Sequence, residues 1–314
     1  MVAEQYTLYH LKAVDSMPDS IPINVTVTSP AKVNLTLSVH GRRPDGFHEL
    51  TSLMVPLEFG DTLTIHTSNS DKDVLRCSNP AVPLGSENLI LKAAHAFRAR
   101  SNQAAYFKFH LEKKIPMGGG LGGGSSNAVA ALSGMNQLLD KPLSTEALHE
   151  LSAQLGSDCP FFIDAKPAWI YGRGERIEPL NQDLSDQLKG VPLVLFKPNF
   201  SVNTAWAFGC LAANAAENYQ PDPVDVVHLE SSIRSGALDT LVCNAFEKPV
   251  GSKYLALPTL LHKLRTAGAT CAMSGSGSSC FAIPDSKNFS SEQIKEVVLD
   301  AWGENVFWVE TFIS

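Results

Sequence analysis

The hydrophobic positions change period along the chain, and each change marks an element. From Val25 to Val39 the pattern alternates: Ala31, Val33, Leu35, Leu37 and Val39 fall on one face, with Pro30, Lys32, Asn34, Thr36 and Ser38 on the other. That is the two-residue period of a strand with one apolar face. Pro44-Asp45-Gly46 reads as a turn within Arg42–Gly46. Strands are predicted near Leu50–Pro56, Thr62–Thr67 and Tyr106–Lys113. Helical spacing predicts helices over Asn88–Arg100, Ser126–Leu139 and Thr145–Leu155. Ser125 or Ser126 would cap the second of these, and Ser144 or Thr145 the third, which Gly156 stops.

Farther on, Ala168–Tyr171 and Arg176–Leu180 read as two strands around Gly172-Arg173-Gly174, a hairpin turn rather than a site. Val191–Lys197 has the apolar run of a buried strand. Helices are predicted at Thr204–Ala216, Thr259–Ala267 and Ser291–Ala301, with strands at Cys271–Met273, Cys280–Ile283 and Val306–Ile313. Strands and helices mix without regular βαβ alternation, so an antiparallel α+β fold is expected. Asn181–Gly190 is the most linker-like stretch, which divides the chain into an extension at 1–21, a domain at 22–185 and a domain at 186–314.

Composition narrows the function. The 314 residues are 44% hydrophobic and 18% charged, enough to fill two cores. A formal net charge of −7 argues against nucleic acid as the main partner. No apolar run approaches the roughly 20 residues of a membrane span. Met1–Ser20 has neither the basic-then-apolar order of a secretory signal nor the arginines of a transit peptide, so a cytoplasmic protein is expected. The six cysteines form no C-x-x-C pair and read as scattered reduced thiols. His66, His95 and His149 lack metal-ligand spacing, and no side chain is assigned to a metal.

The strongest chemical signal is the run Pro116-Met117-Gly118-Gly119-Gly120-Leu121-Gly122-Gly123-Gly124-Ser125-Ser126-Asn127, set between an alternating strand and an amphipathic helix. Glycines allow close backbone approach, and bare amides at a helix start favour phosphate. Glu112, Lys113, Lys114 and Pro116 precede the run, where a dinucleotide fold would place a hydrophobic parallel strand. No lysine follows Gly124 as in a Walker loop, and the His-Arg-Asp loop of protein kinases is missing.

This run resembles the second motif of the superfamily of galactokinase, homoserine kinase, mevalonate kinase and phosphomevalonate kinase (the GHMP kinases). Ser29-Pro30-Ala31-Lys32-Val33-Asn34-Leu35 resembles its first motif, and Met273-Ser274-Gly275-Ser276-Gly277-Ser278 its third. The strings Gly41-Arg42-Arg43-Pro44-Asp45-Gly46-Phe47-His48-Glu49-Leu50 and Leu155-Gly156-Ser157-Asp158-Cys159-Pro160-Phe161-Phe162 resemble its 4-diphosphocytidyl-2-C-methyl-D-erythritol kinase branch. The resemblance runs from about Val25 to the end of the chain.

It implies a ribosomal-protein-S5-like N-terminal domain, a ferredoxin-like C-terminal domain, and ATP-dependent phosphorylation of the 2-hydroxyl of that alcohol, a step of non-mevalonate isoprenoid synthesis. The implied partners are ATP, Mg²⁺ and a small-molecule substrate carrying cytidine diphosphate, handled by a monomer or homodimer. It makes Lys32 and Asp158 the catalytic pair, with Asp158 as general base kept ionised by the lysine. Read alone, Lys32 fits a solvated strand face and Asp158 a helix cap. The resemblance puts Asn88, Lys113 and Pro116–Ser126 at ATP, including Met117, Leu121, Ser125 and each glycine between. It puts Asn34, Phe47, His48, Thr204, Phe208, Gly275 and Gly277 at the substrate, with Phe47 and Phe208 stacking on cytosine. Their plain alternatives are core packing for the phenylalanines and a helix cap for Thr204. Phe47 stands where the branch often has tyrosine, so a phenolic hydrogen bond is absent. A homoserine or mevalonate kinase is the alternative within the superfamily.

Overall fold

The computed structural model describes residues 24–220, 224–285 and 288–314, so the expected extension at 1–21 lies outside the described residues. Its first layer starts with β1 (Asn24–Arg42) and β2 (His48–Ser68), a long antiparallel hairpin paired from Asn24 opposite His66 to Arg42 opposite His48. The two strands predicted within β2 are one. Gly60 and Asp61 interrupt the apolar pattern, yet they stay paired with Pro30 and Ser29, where β1 carries a matching register shift.

Next come β3 (Val74–Cys77), unpredicted, then α1 (Leu89–Ser101) and β4 (Tyr106–Glu112). They lead into α2 (Gly123–Leu138), α3 (Thr145–Leu155) and α4 (Phe161–Asp164). A hairpin, β5 (Ala168–Gly172) and β6 (Arg176–Pro179), follows. β5 pairs with the first half of β2 and β4 with its second half. α1 and α2 bury Ile90, Phe97, Ala128, Leu132 and Met135 beneath this sheet, in the face that helical spacing singled out.

The expected linker is not one. Asn181 caps α5 (Gln182–Leu188), which buries Leu184 and Leu188. A second, antiparallel sheet has the order β11-β7-β10-β9, from β7 (Pro192–Lys197), β9 (Thr270–Met273), β10 (Cys280–Ile283) and β11 (Phe307–Phe312). Between β7 and β9 lie α6 (Thr204–Ala213), α7 (Ala215–Asn218), α8 (Val226–Ser235), a short β8 (Cys243–Asn244), α9 (Glu247–Gly251) and α10 (Ala256–Thr266). α11 (Ser291–Trp302) precedes the last strand. The single helix predicted to Ala216 breaks at Asn214.

β1 joins the layers. Ala31, Val33 and Leu35 pack with Leu193, Leu195, Ala272 and Phe281 of the second sheet, while β8 returns to pair with Thr36 and Leu37. The polar residues of β1 are not solvated: Lys32, Asn34, Thr36 and Ser38 are all buried. The register shift between Asn34 and Thr36 brings Leu37 to the cavity of Lys32 and Asn34, while Thr36 donates to Leu241 O. A polar row held inside a protein needs partners, and the partners of this row make the site.

Candidate active site

The glycine run forms a cradle between β4 and α2. Gly118, Gly120 and Gly122 have φ of 60, 77 and 71°, a left-handed value at every second residue that side chains disfavour. Gly122, not a serine, is the N-cap of α2. The carbonyls of the loop are turned into the protein. Met117 O accepts from Ser201 Oγ (3.3 Å), Gly119 O from Ser279 N (3.1 Å) and Gly120 O from Ser274 Oγ (3.1 Å). Leu121 O accepts from Lys32 N (3.1 Å) and Gly122 O from Ser126 N (2.9 Å). The amides of Gly118 to Gly122 donate to no acceptor among the described residues. Carbonyls inward and free amides outward, at the start of a 16-residue helix, is the arrangement that holds an anion.

This cradle lines a cleft of about 410 Å³ with Asn88, Lys113, Pro116 and Ser125. Asn88 caps α1 through Ile90 N (2.9 Å) and also lines the cleft. Lys113 is not a solvated edge lysine. Its ammonium pairs with the fully buried Asp61 and donates to Asn127 Oδ1 (3.0 Å). Asp61 also accepts from Lys114 N (2.7 Å), Ile115 N (2.8 Å) and Asn127 Nδ2 (2.8 Å), so it fixes the entry to the loop and the first turn of α2 together. Ser126 stands apart from the cleft: it is buried, and its hydroxyl accepts from Ser29 Oγ (2.8 Å).

A second chamber adjoins the cradle at Gly120 and Gly122, and Lys32, Asn34, Asp158, Thr204 and Gly275 line it. Lys32 Nζ donates to Asn34 Oδ1 (2.7 Å) and lies 3.7 Å from Asp158 Oδ2. Asn34 Nδ2 donates to Ser52 Oγ (2.8 Å), which donates to Thr36 O (2.7 Å), so the lysine is oriented from behind. Burial lowers the Lys32 pKa, and Asp158 opposes that shift. Asp158 is not a helix cap: α4 begins after Pro160 with no side-chain cap. Thr204 is not one either, since Asn203 caps α6 (2.9 Å to Trp206 N); its hydroxyl meets Ser276 Oγ at 2.8 Å. Gly275 closes on Gly120, whereas Gly277 faces Met273 and lines neither chamber.

The third chamber, about 560 Å³, shares Asp158, Arg173, Thr204 and Phe208 with the second and adds Phe47 and His48. The His48 and Phe208 rings stack at 4.8 Å and 29°. His48 Nε2 pairs with Tyr219 Oη (3.0 Å), and burial, with Arg42, lowers its pKa. Phe47 is 48% exposed at the chamber wall.

Several residues of the site escaped the sequence reading. Arg173, at the tip of the β5–β6 turn, holds its guanidinium 4.7 Å over the Phe47 ring. Its setting between two glycines was a signal that a turn alone explained. Asn244 donates to Met273 O (2.6 Å) and Gly275 O (2.8 Å), fixing the third motif. Asp61, Ser52 and Tyr219 carried no local signal. Among the described residues no group of three or more His, Cys, Asp or Glu could hold a metal, and no helix is long and apolar enough to cross a membrane.

Comparison with known proteins places the chain in a family. Residues 88–166 match the GHMP kinases N terminal domain and residues 229–305 the GHMP kinases C terminal family. The chain is 37% identical to 4-diphosphocytidyl-2-C-methyl-D-erythritol kinase of Synechococcus sp. (strain CC9902), over 82% of this chain and 87% of the relative. It is 34% identical to the chloroplastic enzyme of that name from Arabidopsis thaliana, over 92% of this chain and 76% of the relative. A crystal structure of 4-(cytidine 5'-diphospho)-2C-methyl-D-erythritol kinase superposes with a TM-score of 0.74 at 31% identity, covering 92% of this chain and 99% of that one. Homoserine kinase from Cytophaga hutchinsonii, at 16% identity and a TM-score of 0.66, shares the fold. With relatives of that name above 30% identical over most of both chains, the chain belongs to the 4-diphosphocytidyl-2-C-methyl-D-erythritol kinase family of the GHMP kinases.

Proposed function

We propose that the protein transfers the γ-phosphoryl group of ATP to the 2-hydroxyl of 4-diphosphocytidyl-2-C-methyl-D-erythritol, giving the 2-phosphate and ADP. One observation carries this reading: the three chambers are continuous, with the amide cradle at one end, the aromatic wall at the other and Lys32 with Asp158 between them. A long substrate with a flat base at one end and an alcohol at the other fits that order. His48 and Phe208 make the wall for the cytosine with Phe47.

Asp158 takes the proton of the attacking hydroxyl, and its exposed position in the chamber leaves it open to the substrate. Lys32 supplies positive charge to the transferring group, fixed by Asn34. Mg²⁺ neutralises triphosphate charge when bound, and it needs one or two protein oxygens at most. Ser125, lining the cradle, would supply such an oxygen. The two sheets, 24–179 and 192–312, favour two domains with α5 between them in place of a break at 185/186, and Cys243–Asn244 crosses back to the first sheet. The cysteines are all free, which suits a reducing compartment such as the cytoplasm.

The test is ADP release from Mg-ATP with 4-diphosphocytidyl-2-C-methyl-D-erythritol, its cytidine-free monophosphate, homoserine and mevalonate. Turnover confined to the cytidine-bearing alcohol is expected. Turnover with homoserine or mevalonate would keep the fold and replace the substrate.

A further inference from the structure

Behind the glycine cradle, on the side away from the cleft, lies a buried cation that the reaction above does not use. Lys197 ends β7 and is 8% exposed. Its ammonium donates only to carbonyls, Pro198 O (3.0 Å) and Phe200 O (2.8 Å), and it pairs with no carboxylate among the described residues. A buried charge without a counter-ion is costly, and proteins seldom keep one where an apolar side chain would serve. Burial alone pushes its pKa down, with no acidic neighbour to hold it up.

Its position suggests what the charge is for. A Cβ placed on Gly119 would lie 3.3 Å from Lys197 Cδ and 3.5 Å from Cε, so the lysine stem runs against the back of the cradle. The same point collides with Ser279 Oγ, a buried hydroxyl with no partner among the described residues. The backbone of Ser279 holds the Gly119 carbonyl, and Ser278 Oγ shares the Phe200 carbonyl with Lys197. Lys197 is thus built into the wall that turns the loop carbonyls away from the cleft. Charge in such a wall acts across a few ångströms of poorly screening protein.

We propose that Lys197 is a remote determinant of nucleotide affinity: an unpaired ammonium behind Gly119 that adds positive potential to the phosphate cradle without touching the ligand. The counter-ion it lacks in the free protein is the triphosphate itself. This rests on the reading of the cradle as the ATP site, and the test separates the two.

Binding of ATP and of adenosine is measured by calorimetry on the full chain, with Lys197→Met and Lys197→Gln, alongside the unfolding midpoint of each without ligand. Lys197→Met is expected to weaken ATP about tenfold, to leave adenosine within about twofold, and to raise the ligand-free midpoint because an uncompensated buried charge is gone. Lys197→Gln, which keeps a donor for the carbonyls, is expected to lose ATP affinity as Met does. Equal losses for ATP and adenosine would make Lys197 a packing residue and overturn the inference, as would a Gln variant with unchanged ATP affinity. A wild-type protein that binds no ATP would overturn the nucleotide reading itself.

Discussion

Lys32 and Asp158 meet at 3.7 Å with very unequal surroundings: the lysine side chain is 4% exposed and the aspartate 42%. The pair is half inside the protein and half in the cleft. The buried half is held by Asn34 and Ser52, and the open half is free to meet a hydroxyl. In the proposed reaction that asymmetry fits positioning and charge for the lysine and proton transfer for the aspartate.

The lysine sets a pH dependence. Its pKa is lowered from 10.5, burial outweighing Asp158. The protonated form that serves catalysis is therefore lost as pH rises through a value below 10.5. Stability runs the other way there: the unfolded chain still binds the proton that the folded chain has released, so folding gains as pH rises between the two values. The alkaline fall of kcat/KM is expected to be matched by a rising Lys32 contribution to stability, read as the difference in urea unfolding between the protein and Lys32→Met. The difference is the readout because the thiols of Cys159, Cys243, Cys271 and Cys280, pushed up by desolvation, weaken folding over the same range in both. Lys32→Arg is expected to remove the alkaline limb from whatever activity it retains.

Asp61 and Lys113 are both buried and share Asn127. Asp61→Ala leaves the Lys113 ammonium without its counter-ion and the amides of Lys114 and Ile115 without their acceptor, and it is expected to cost about 3–5 kcal/mol in urea unfolding. Lys113→Met is expected to cost less, because backbone amides and Asn127 still satisfy the carboxylate. The double variant is expected to be more stable than the sum of the two losses predicts.

Gly120 has φ of 77° and faces the Ser274 carbonyl with no room for a methyl group. Gly120→Ala is expected to lose about 1–2 kcal/mol from backbone conformation alone, and to lose measurable ATP binding because the two glycine loops must separate. Differential scanning calorimetry and ATP titration check the two parts independently.

The strand period of β1, the glycine run and the caps of α1 and α3 at Asn88 and Ser144 were legible because each is a local pattern, whereas α2 starts at Gly122 ahead of the serines expected to cap it. Asn34 and Asp158 were legible only through resemblance, since nothing local says that the polar face of β1 is buried. That burial comes from residues far along the chain: the Leu121–Gly122 turn and Asp158 over Lys32, and the Leu241 carbonyl at Thr36. Asp61 was unreadable for the same reason: its partners lie at 113, 114, 115 and 127. The break predicted inside β2 failed because its cause, Gly60, is matched by an irregularity in the partner strand. The linker at Asn181–Gly190 failed because its polar residues hide Leu184 and Leu188, which make α5 amphipathic.

The ring wall gives a separate prediction. Phe208 stacks on His48 and packs edge-on against Phe246. Phe208→Leu is expected to raise the KM for the cytidine-bearing alcohol about tenfold and to leave the KM for ATP unchanged. The His48 pKa lies below 6.5, lowered by burial and Arg42, so that KM is expected to stay flat between pH 6.5 and 8.

The most direct test of the account is the product itself. Phosphorus NMR of a reaction containing enzyme, Mg-ATP and 4-diphosphocytidyl-2-C-methyl-D-erythritol is expected to show one new phosphomonoester, on the 2-oxygen, forming with ADP. With Asp158→Asn the rate is expected to fall about 10²- to 10⁴-fold while the alcohol still binds. Release of inorganic phosphate in place of the ester, a phosphate on another oxygen, or full activity in Asp158→Asn would contradict it.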